Sequence, residues 1–419
     1  MSQYKAYPAY KDSGVEWIGQ VPEHWQVKRL KHLISQCQNG VWGDDPLEDG
    51  SDTLCIRVAD FDRDNNVVIY NPSTYRQITK EHQDSRLVSK GDILLEKSGG
   101  GVQTLVGANV RYLGEEPAVC SNFVAVIKPS KKAESAWLNY LMASMYALKI
   151  NLRSIKQSTG IQNLDSEQYL DEGVAAPSLD EQATIATALD RETARIDALI
   201  EKKTRFIELL KEKVIATAMT EQMYGDGEHI RLRHLVQIIS RPVQLISEDE
   251  YIALGLYNRG RGLFHKPPTL GKDIGDSDFF YVEEGDLILS GQFAWEGAVT
   301  MASSTESGCV VSHRYPIVRG GAVATEYLFA LLMTNFGDFL LNESSRGSAG
   351  RNRPLNINLL LNEKIRMPSV KTQEEIKGLI KLKATLEEKV KHSIDLLKER
   401  RAAFITAAVT GQIDLRGKQ

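Results

Sequence analysis

Asp180 to Met223 reads DEQATIATALDRETARIDALIEKKTRFIELLKEKVIATAMTEQM, a run without proline or glycine. Its apolar residues Ile185, Leu189, Ile196, Leu199, Ile200, Phe206, Ile207, Leu210 and Val214 recur at helical spacings, and charge covers the opposite face. That period predicts one amphipathic helix with a coiled-coil seam, in which Glu192 and Lys203 are imperfections. Pro177 stands just ahead, where a helix start tolerates proline. At 1.5 Å per residue such a helix is about 60 Å long, and alone it cannot bury its stripe.

A partner lies in the same chain. Thr372 to Thr410 carries the stripe Ile376, Leu379, Ile380, Leu386, Val390, Ile394, Leu397, Phe404 and Ala408, interrupted only by Gly378. Gly411 follows where a C-terminal glycine stops a helix. The two runs belong to a longer repeat. Arg29-Leu30-Lys31-His32-Leu33 recurs as Arg231-Leu232-Arg233-His234-Leu235, and Lys90-Gly91-Asp92-Ile93-Leu94-Leu95 as Glu284-Gly285-Asp286-Leu287-Ile288-Leu289. Pro177-Ser178 with Gln182 and Ile185 recurs as Pro368-Ser369 with Gln373 and Ile376. Leu209-Leu210-Lys211-Glu212 recurs as Leu396-Leu397-Lys398-Glu399, and Ala218-Met219-Thr220-Glu221-Gln222 as Ala408-Val409-Thr410-Gly411-Gln412. Five matches in one order indicate a duplicated unit, a mixed domain followed by a long helix.

Because the repeat supplies matched helices in cis, they are expected to pack as an intramolecular antiparallel coiled coil rather than as separate dimerisation helices. The mixed domains are then related by a pseudo-two-fold axis. The expected domains are residues 1–176 and 225–366, with helices in 177–224 and 367–419. Glu212 and Ala218 are six residues apart and Glu399 and Ala408 nine, which predicts about one extra turn, a stammer, near the end of the second helix.

The mixed domains read as α+β. Val67 to Tyr70, Asp92 to Glu96 and Asn122 to Lys128 are strand-like in the first, with Trp137 to Leu148 helical. In the second, Asp286 to Leu289 and Cys309 to Val318 are strand-like and Glu326 to Leu341 helical.

The 419 residues suit two to four domains, and 42% hydrophobic with 25% charged content suits a globular chain. No apolar run has membrane-spanning length, and Met1 to Lys11 carries no signal-like apolar core. Cys37, Cys55, Cys120 and Cys309 show no paired spacing, which speaks against a disulfide framework or zinc ribbon and for a reducing cytoplasm. The eight histidines lack metal-ligand spacing, so neither metal nor cofactor is expected.

Two similar domains on a stiff spacer, in inverted orientation, match the symmetry of duplex DNA, whose half-sites recur about every 34 Å on one face. The net charge of −4 does not advertise a nucleic-acid binder, but patches rather than totals make the footprint. Residues 225–366 hold 11 Arg and 3 Lys against 17 acidic residues, and the Arg bias suits planar recognition of guanine edges and phosphates. Candidate DNA-binding residues in the first domain are Lys97, Gly99, Gly100, Gln103, Arg153, Lys156, Gln157, Gln162 and Asn163. In the second they are Arg259, Arg261, His265, Lys266, Gln292, Trp295, His313, Arg314, Arg346, Arg351 and Arg353. The plain alternative for each is a solvated surface side chain.

Tyr10-Lys11-Asp12-Ser13-Gly14-Val15-Glu16-Trp17-Ile18-Gly19, followed by Val21-Pro22-Glu23-His24-Trp25, resembles the opening of type I restriction–modification specificity (S) subunits. Gly91-Asp92-Ile93-Leu94, Ser158 to Leu164, Pro177 with Glu181-Gln182, and Leu396 to Arg401 ending in Ala408 to Gln412 also resemble that family. The resemblance implies two target-recognition domains, each reading half of a bipartite, asymmetric double-stranded DNA site. It implies helices that set the gap and dock two methyltransferase subunits, with restriction subunits joining that core, and no membrane partner. Where the first copy has Ser158 to Leu164 the second has Gly347 to Leu355, so the half-sites should differ.

Catalytic signatures are not apparent. Asn71-Pro72-Ser73-Thr74-Tyr75 is only superficially similar to the amino-methyltransferase motif and reads as a loop, and no glycine-rich turn for S-adenosylmethionine accompanies it. Glu96-Lys97 lacks nuclease spacing, becomes Ser290-Gly291 in the second copy, and suits a buried strand end. No phosphate-binding loop of the Walker type occurs. A non-catalytic DNA-specificity subunit is therefore expected. A coiled-coil scaffold that never touches DNA is the alternative, and a stand-alone methyltransferase or nuclease is disfavoured.

Overall fold

The computed structural model describes residues 4–100, 104–158, 160–258, 260–345 and 353–416. Two compact units divide the chain: residues 1–200 with 394–419, and residues 201–393. Each holds a mixed domain together with one end of each long helix.

The first unit is built on an antiparallel sheet. Its central strands are β1 (Ile34–Asn39), β2 (Ile93–Glu96), β3 (Asn109–Arg111) and β4 (Val124–Pro129), side by side in the order β1-β4-β2-β3. Helix α1 (Ser135–Ala147) covers it, and a hairpin of β5 (Ile155–Ser158) and β6 (Ile161–Leu164) follows. The long helix α2 runs over Leu179–Tyr224. In the second unit, β7 (Val236–Ile239), β8 (Leu287–Leu289), β9 (Val299–Met301) and β10 (Ile317–Gly320) repeat that order as β7-β10-β8-β9, again antiparallel. Helices α3 (Thr325–Leu332) and α4 (Asn335–Glu343) come next, and α5 (Val370–Val409) is the second long helix. The duplication is thus one of topology as well as of sequence.

The repeated motifs have structural explanations. In Ser89-Lys90-Gly91-Asp92 the turn places Gly91 at φ +94°, and in Glu283-Glu284-Gly285-Asp286 it places Gly285 at φ +84°, where a side chain is strained. Each aspartate accepts from the backbone N–H that opens its turn, Asp92 from Ser89 (2.9 Å) and Asp286 from Glu283 (2.9 Å). The glutamine after each Pro-Ser ties three pieces together. Gln182 Oε1 accepts from the N–H of Glu134, the cap of α1 (2.8 Å), and its amide donates to the Pro177 carbonyl (3.0 Å). Gln373 Oε1 accepts from the N–H of Ala324, the cap of α3 (2.7 Å), and its amide donates to the Pro368 carbonyl (3.1 Å).

Both long helices end in cores. In the first unit Ile185 and Leu189 share a cluster with Trp137, Leu141, Phe404 and Ala408. In the second, Val214 and Ala218 share one with Tyr327, Leu328 and Ile376. Full burial of such side chains contributes about 1.5–3 kcal/mol each. Direction follows from polar contacts. Glu181 lies 3.9 Å from Arg416 and Asp197 3.5 Å from Arg401, so the start of α2 meets the end of α5. In the second unit Lys213 lies 3.9 Å from Glu375, and the Glu221 carboxylate accepts from Ser369 N–H (2.6 Å). The pairing inside each unit is antiparallel, as expected for the intramolecular pair, and the fold is α+β.

Several expectations need correction. Leu199 and Phe206, placed on the seam by spacing, are 41% and 47% exposed. Lys203, taken as an imperfection, is half-buried beside the half-buried Ile200 and Ile207. The second helix is not longer. It spans 40 residues against 46: its three extra residues near the end are outweighed by four fewer between Gln373 and Leu396 than between Gln182 and Leu209, and it stops at Val409, just past Ala408, whereas the first runs on from Ala218 to Tyr224. Glu326 to Leu341 forms two helices, since the Thr334 hydroxyl caps α4 through Gly337 N–H (3.1 Å). Cys309 to Val318 forms two strands in different sheets, Val310–Ser312 and β10, joined by a loop.

Candidate nucleic-acid interface

The two units carry the same construction at the open end of their central strands. After β2, Lys97 N–H donates to the Phe123 carbonyl (2.8 Å), and the Lys97 carbonyl accepts from Leu164 N–H (2.8 Å). After β8, Gly291 N–H donates to the Arg314 carbonyl (2.6 Å), and the Gly291 carbonyl accepts from Leu355 N–H (2.8 Å). Lys97, Phe123 and Leu164 therefore occupy the places of Gly291, Arg314 and Leu355. A Cβ on Gly291 would lie 2.6 Å from the Arg314 carbonyl oxygen, so that close approach requires glycine. Loop Ser121-Asn122-Phe123 leads into β4, and Ser312-His313-Arg314 leads towards β10.

Each tip borders a cleft. In the first unit it measures about 540 Å³, with Trp42, Arg57, Glu96, Gly99, Asn122 and Phe123 among its walls. Phe123 is 48% exposed, and the Arg76 guanidinium stacks 4.6 Å from the Trp42 ring centroid. Glu96 is buried at its floor. Desolvation raises its carboxyl above the ordinary range, opposed by the Arg63 guanidinium at 2.8 Å. In the second unit a cleft of about 320 Å³ has Lys266, Thr269, Asp273, Ser277, Arg314 and Tyr315 among its walls. The first sets two aromatic rings and Arg57 around a carboxylate, and the second carries two cations, Lys266 and Arg314, with Asp273.

The structure sorts the residues singled out by sequence. Many have partners within the protein. Lys97 Nζ donates to Asn39 Oδ1 (2.7 Å). Arg153 pairs with Glu16 (2.9 Å) and Lys156 with Asp165 (2.7 Å). Gln162 is buried and accepts from Val106 N–H (3.2 Å), and Asn163 accepts from the Ser98 hydroxyl (2.6 Å). Gly99 pairs with Gln162 across a short ladder, and Gly100, at φ +65°, would place a Cβ 2.7 Å from the Thr104 carbonyl oxygen. Gln157 is exposed.

In the second unit Arg261 donates to the Asn258 carbonyl (3.1 Å) and stacks on Tyr257. His265 Nε2 lies 3.3 Å from the Thr305 carbonyl oxygen. Arg353 bonds the Ser345 carbonyl (3.2 Å) and lies 5.5 Å from the Trp295 centroid, while Trp295 donates to the Gln292 carbonyl (3.2 Å). Gln292, His313, Arg314 and Lys266 are exposed, and no acidic side chain pairs with Arg314 or Lys266 among the described residues. Gln103, Arg259, Arg346 and Arg351 lie outside the described residues. Sequence reading missed Trp42, Arg57, Asn122 and Phe123. Carrying His313-Arg314 back through the repeat would have reached Asn122-Phe123.

Among the described residues no cluster of His, Cys, Asp or Glu is placed to hold a metal, no helix is long and apolar enough to cross a membrane, and all four cysteines are free.

A duplicated α+β chain of this topology has known counterparts. Residues 22–209 match the family described as the type I restriction modification DNA specificity domain. The chain is 22% identical over 427 residues to the type I restriction enzyme MjaVIII specificity subunit of Methanocaldococcus jannaschii, covering 94% of each. A chain from a structure concerned with complex assembly and conformational transition of the type I R-M system superposes with a TM-score of 0.62 at 14% identity, over 95% of this chain and 99% of that one. The HsdS subunit of Thermoanaerobacter tengcongensis aligns over 94% of this chain and 98% of its own, with a TM-score of 0.48 and 16% identity. The chain is thus similar to the type I restriction–modification specificity subunits, in sequence over residues 22–209 and in fold, which is the resemblance its motifs carry.

Proposed function

We propose that this chain is the sequence-reading, non-catalytic subunit of a type I restriction–modification complex. The mixed domains, residues 1–176 and 225–366, each read one half of a bipartite, asymmetric duplex site. The helices, residues 177–224 and 367–419, set the gap and dock two methyltransferase subunits, and restriction subunits join that core in the cytoplasm. The observation that carries the reading is the repeated strand-tip construction, which offers an aromatic side chain at Phe123 and a cationic one at Arg314 from the same backbone position. One scaffold with two different faces is what an asymmetric bipartite site needs. Leu199, Phe206, Leu209, Leu382 and Leu396, exposed on the long helices, support the docking of protein subunits there.

The test is duplex binding by the full chain. One sequence is expected to bind far above random DNA, with affinity falling as salt rises. Equal binding to every duplex refutes the reading. The exposed apolar residues on the helices also suit a protein scaffold without DNA, for which no nucleic acid would co-purify even at low salt. Inserting four residues in each long helix adds about 6 Å and is expected to lengthen the preferred gap by about one or two base pairs. An unchanged gap removes the helices as the ruler.

A further inference from the structure

We propose that the position shared by Phe123 and Arg314 selects the base in each half-site. Arg314 takes the O6/N7 edge of a guanine, and Phe123 takes the C5-methyl face of a thymine. The proposal rests on the DNA-reading function above and names its contact residues.

The argument begins with the backbone. Both residues are held by their carbonyl oxygens. The Phe123 carbonyl accepts from Lys97 N–H (2.8 Å) and Ser98 N–H (3.2 Å), and the Arg314 carbonyl from Gly291 N–H (2.6 Å). Each lies at or near the entry to a core strand, β4 and β10, that pairs with the strand ending at the same tip. The Cα is therefore fixed by the sheet while the side chain remains outside it. Base readout requires such a rigid mount with an uncommitted side chain.

The neighbours narrow the choice. Arg241 and Arg319 of the second unit hold Asp286, Arg261 is bound to the Asn258 carbonyl, and Arg353 to the Ser345 carbonyl. Arg314 has no such tie and opens on the cleft shared with Lys266, Thr269 and Asp273. A planar guanidinium offers two parallel donors, which match the two acceptors of guanine in the major groove and no other base edge equally well. Phe123 offers no donor. It is half-exposed on the cleft that Trp42 and the buried Glu96 also line, and its ring favours an apolar methyl over the polar edge of guanine. Lys266 lacks the planar fork and is assigned to a phosphate.

The experiment selects bound duplexes from a randomised library with the full chain, unaltered and as Arg314→Ala, Arg314→Lys, Phe123→Arg and Lys266→Ala. Circular dichroism and thermal melting check that each variant is folded. For Arg314→Ala we expect the guanine preference at one position of one half-site to fall by about 10-fold or more, with the other half-site unchanged. Arg314→Lys should retain only part of it. Phe123→Arg should introduce a guanine preference into the other half-site. Lys266→Ala should weaken all sequences alike. An intact motif in Arg314→Ala, or an equal loss across all sequences, overturns the assignment of Arg314. A Phe123→Arg chain whose motif is unchanged overturns the equivalence of the two positions. An unaltered chain that selects no motif refutes the DNA-reading function and this proposal with it, which separates the two failures.

Discussion

Replacing Asp286 by alanine should destabilise the protein more than replacing Asp92, although both occupy the same Gly-Asp turn. Asp286 is fully buried. Its carboxylate accepts from Arg241 (2.7 and 3.2 Å), from Arg319 Nε (2.6 Å) and from Glu283 N–H (2.9 Å). Removing one partner from a buried charged network costs about 3–5 kcal/mol, because the remaining charges lose their counter-ion. Glu283 still lies 2.9 Å from Arg241 and 3.4 Å from Arg319, and both guanidiniums reach water, so the lower half of that range applies. Asp92 holds one ammonium, that of Lys128 at 3.2 Å, and one turn N–H, that of Ser89 at 2.9 Å. Losing those should cost about 1–2 kcal/mol. Hydrogen exchange read by peptide mass spectrometry in increasing denaturant would follow each unit separately, which a single melting curve cannot do. The reasoning fails if Asp92→Ala costs as much as Asp286→Ala, or if Asp286→Ala loosens β2 instead of β8.

Gln373→Ala removes an acceptor for Ala324 N–H and a donor to Pro368, and should lower the melting temperature through a loss of about 1–3 kcal/mol. An unchanged melt would show that the clamp is dispensable. Glu96 holds its proton more tightly folded than unfolded, so its charged form costs stability above its raised pKa and the cost fades as pH falls through that value. Glu96→Gln should therefore melt no lower than the parent at pH 7, with the gap narrowing towards pH 4; a melt clearly below the parent's at pH 7 counts against this. Burial pushes the Cys55 thiol up to about 11. At pH 8 only about one in a thousand is thiolate, so iodoacetamide should modify Cys55 far more slowly in the native chain than after denaturation. Equal rates would refute its burial.

The sequence was most legible where a local pattern repeats. The stripes through Ile185 and Leu189, and through Ile376 and Leu379, marked both long helices to within a residue or two of α2 and α5. The Gly-Asp turns and the Pro-Ser…Gln pairs marked the duplication. Legibility fell where a single side chain decides: Thr334 divides a run that reads as one helix, and a four-residue deficit cancels an apparent extra turn.

Residue order alone was enough for the helices, the doubled α+β architecture and the absence of recognisable nucleotide-binding loops, because propensity and periodicity are local properties. It could not say which cations are spent. Arg153 and Lys156 looked as available as Arg314 and Lys266, yet the first two are neutralised by Glu16 and Asp165 while the last two share an open cleft. The repeat offset pointed from His313-Arg314 to Asn122-Phe123, but only the matching backbone bonds from Lys97 and Gly291 put Phe123 where Arg314 stands. Both answers depend on which distant segments the sheet brings within hydrogen-bonding reach, and tertiary packing alone settles that distance.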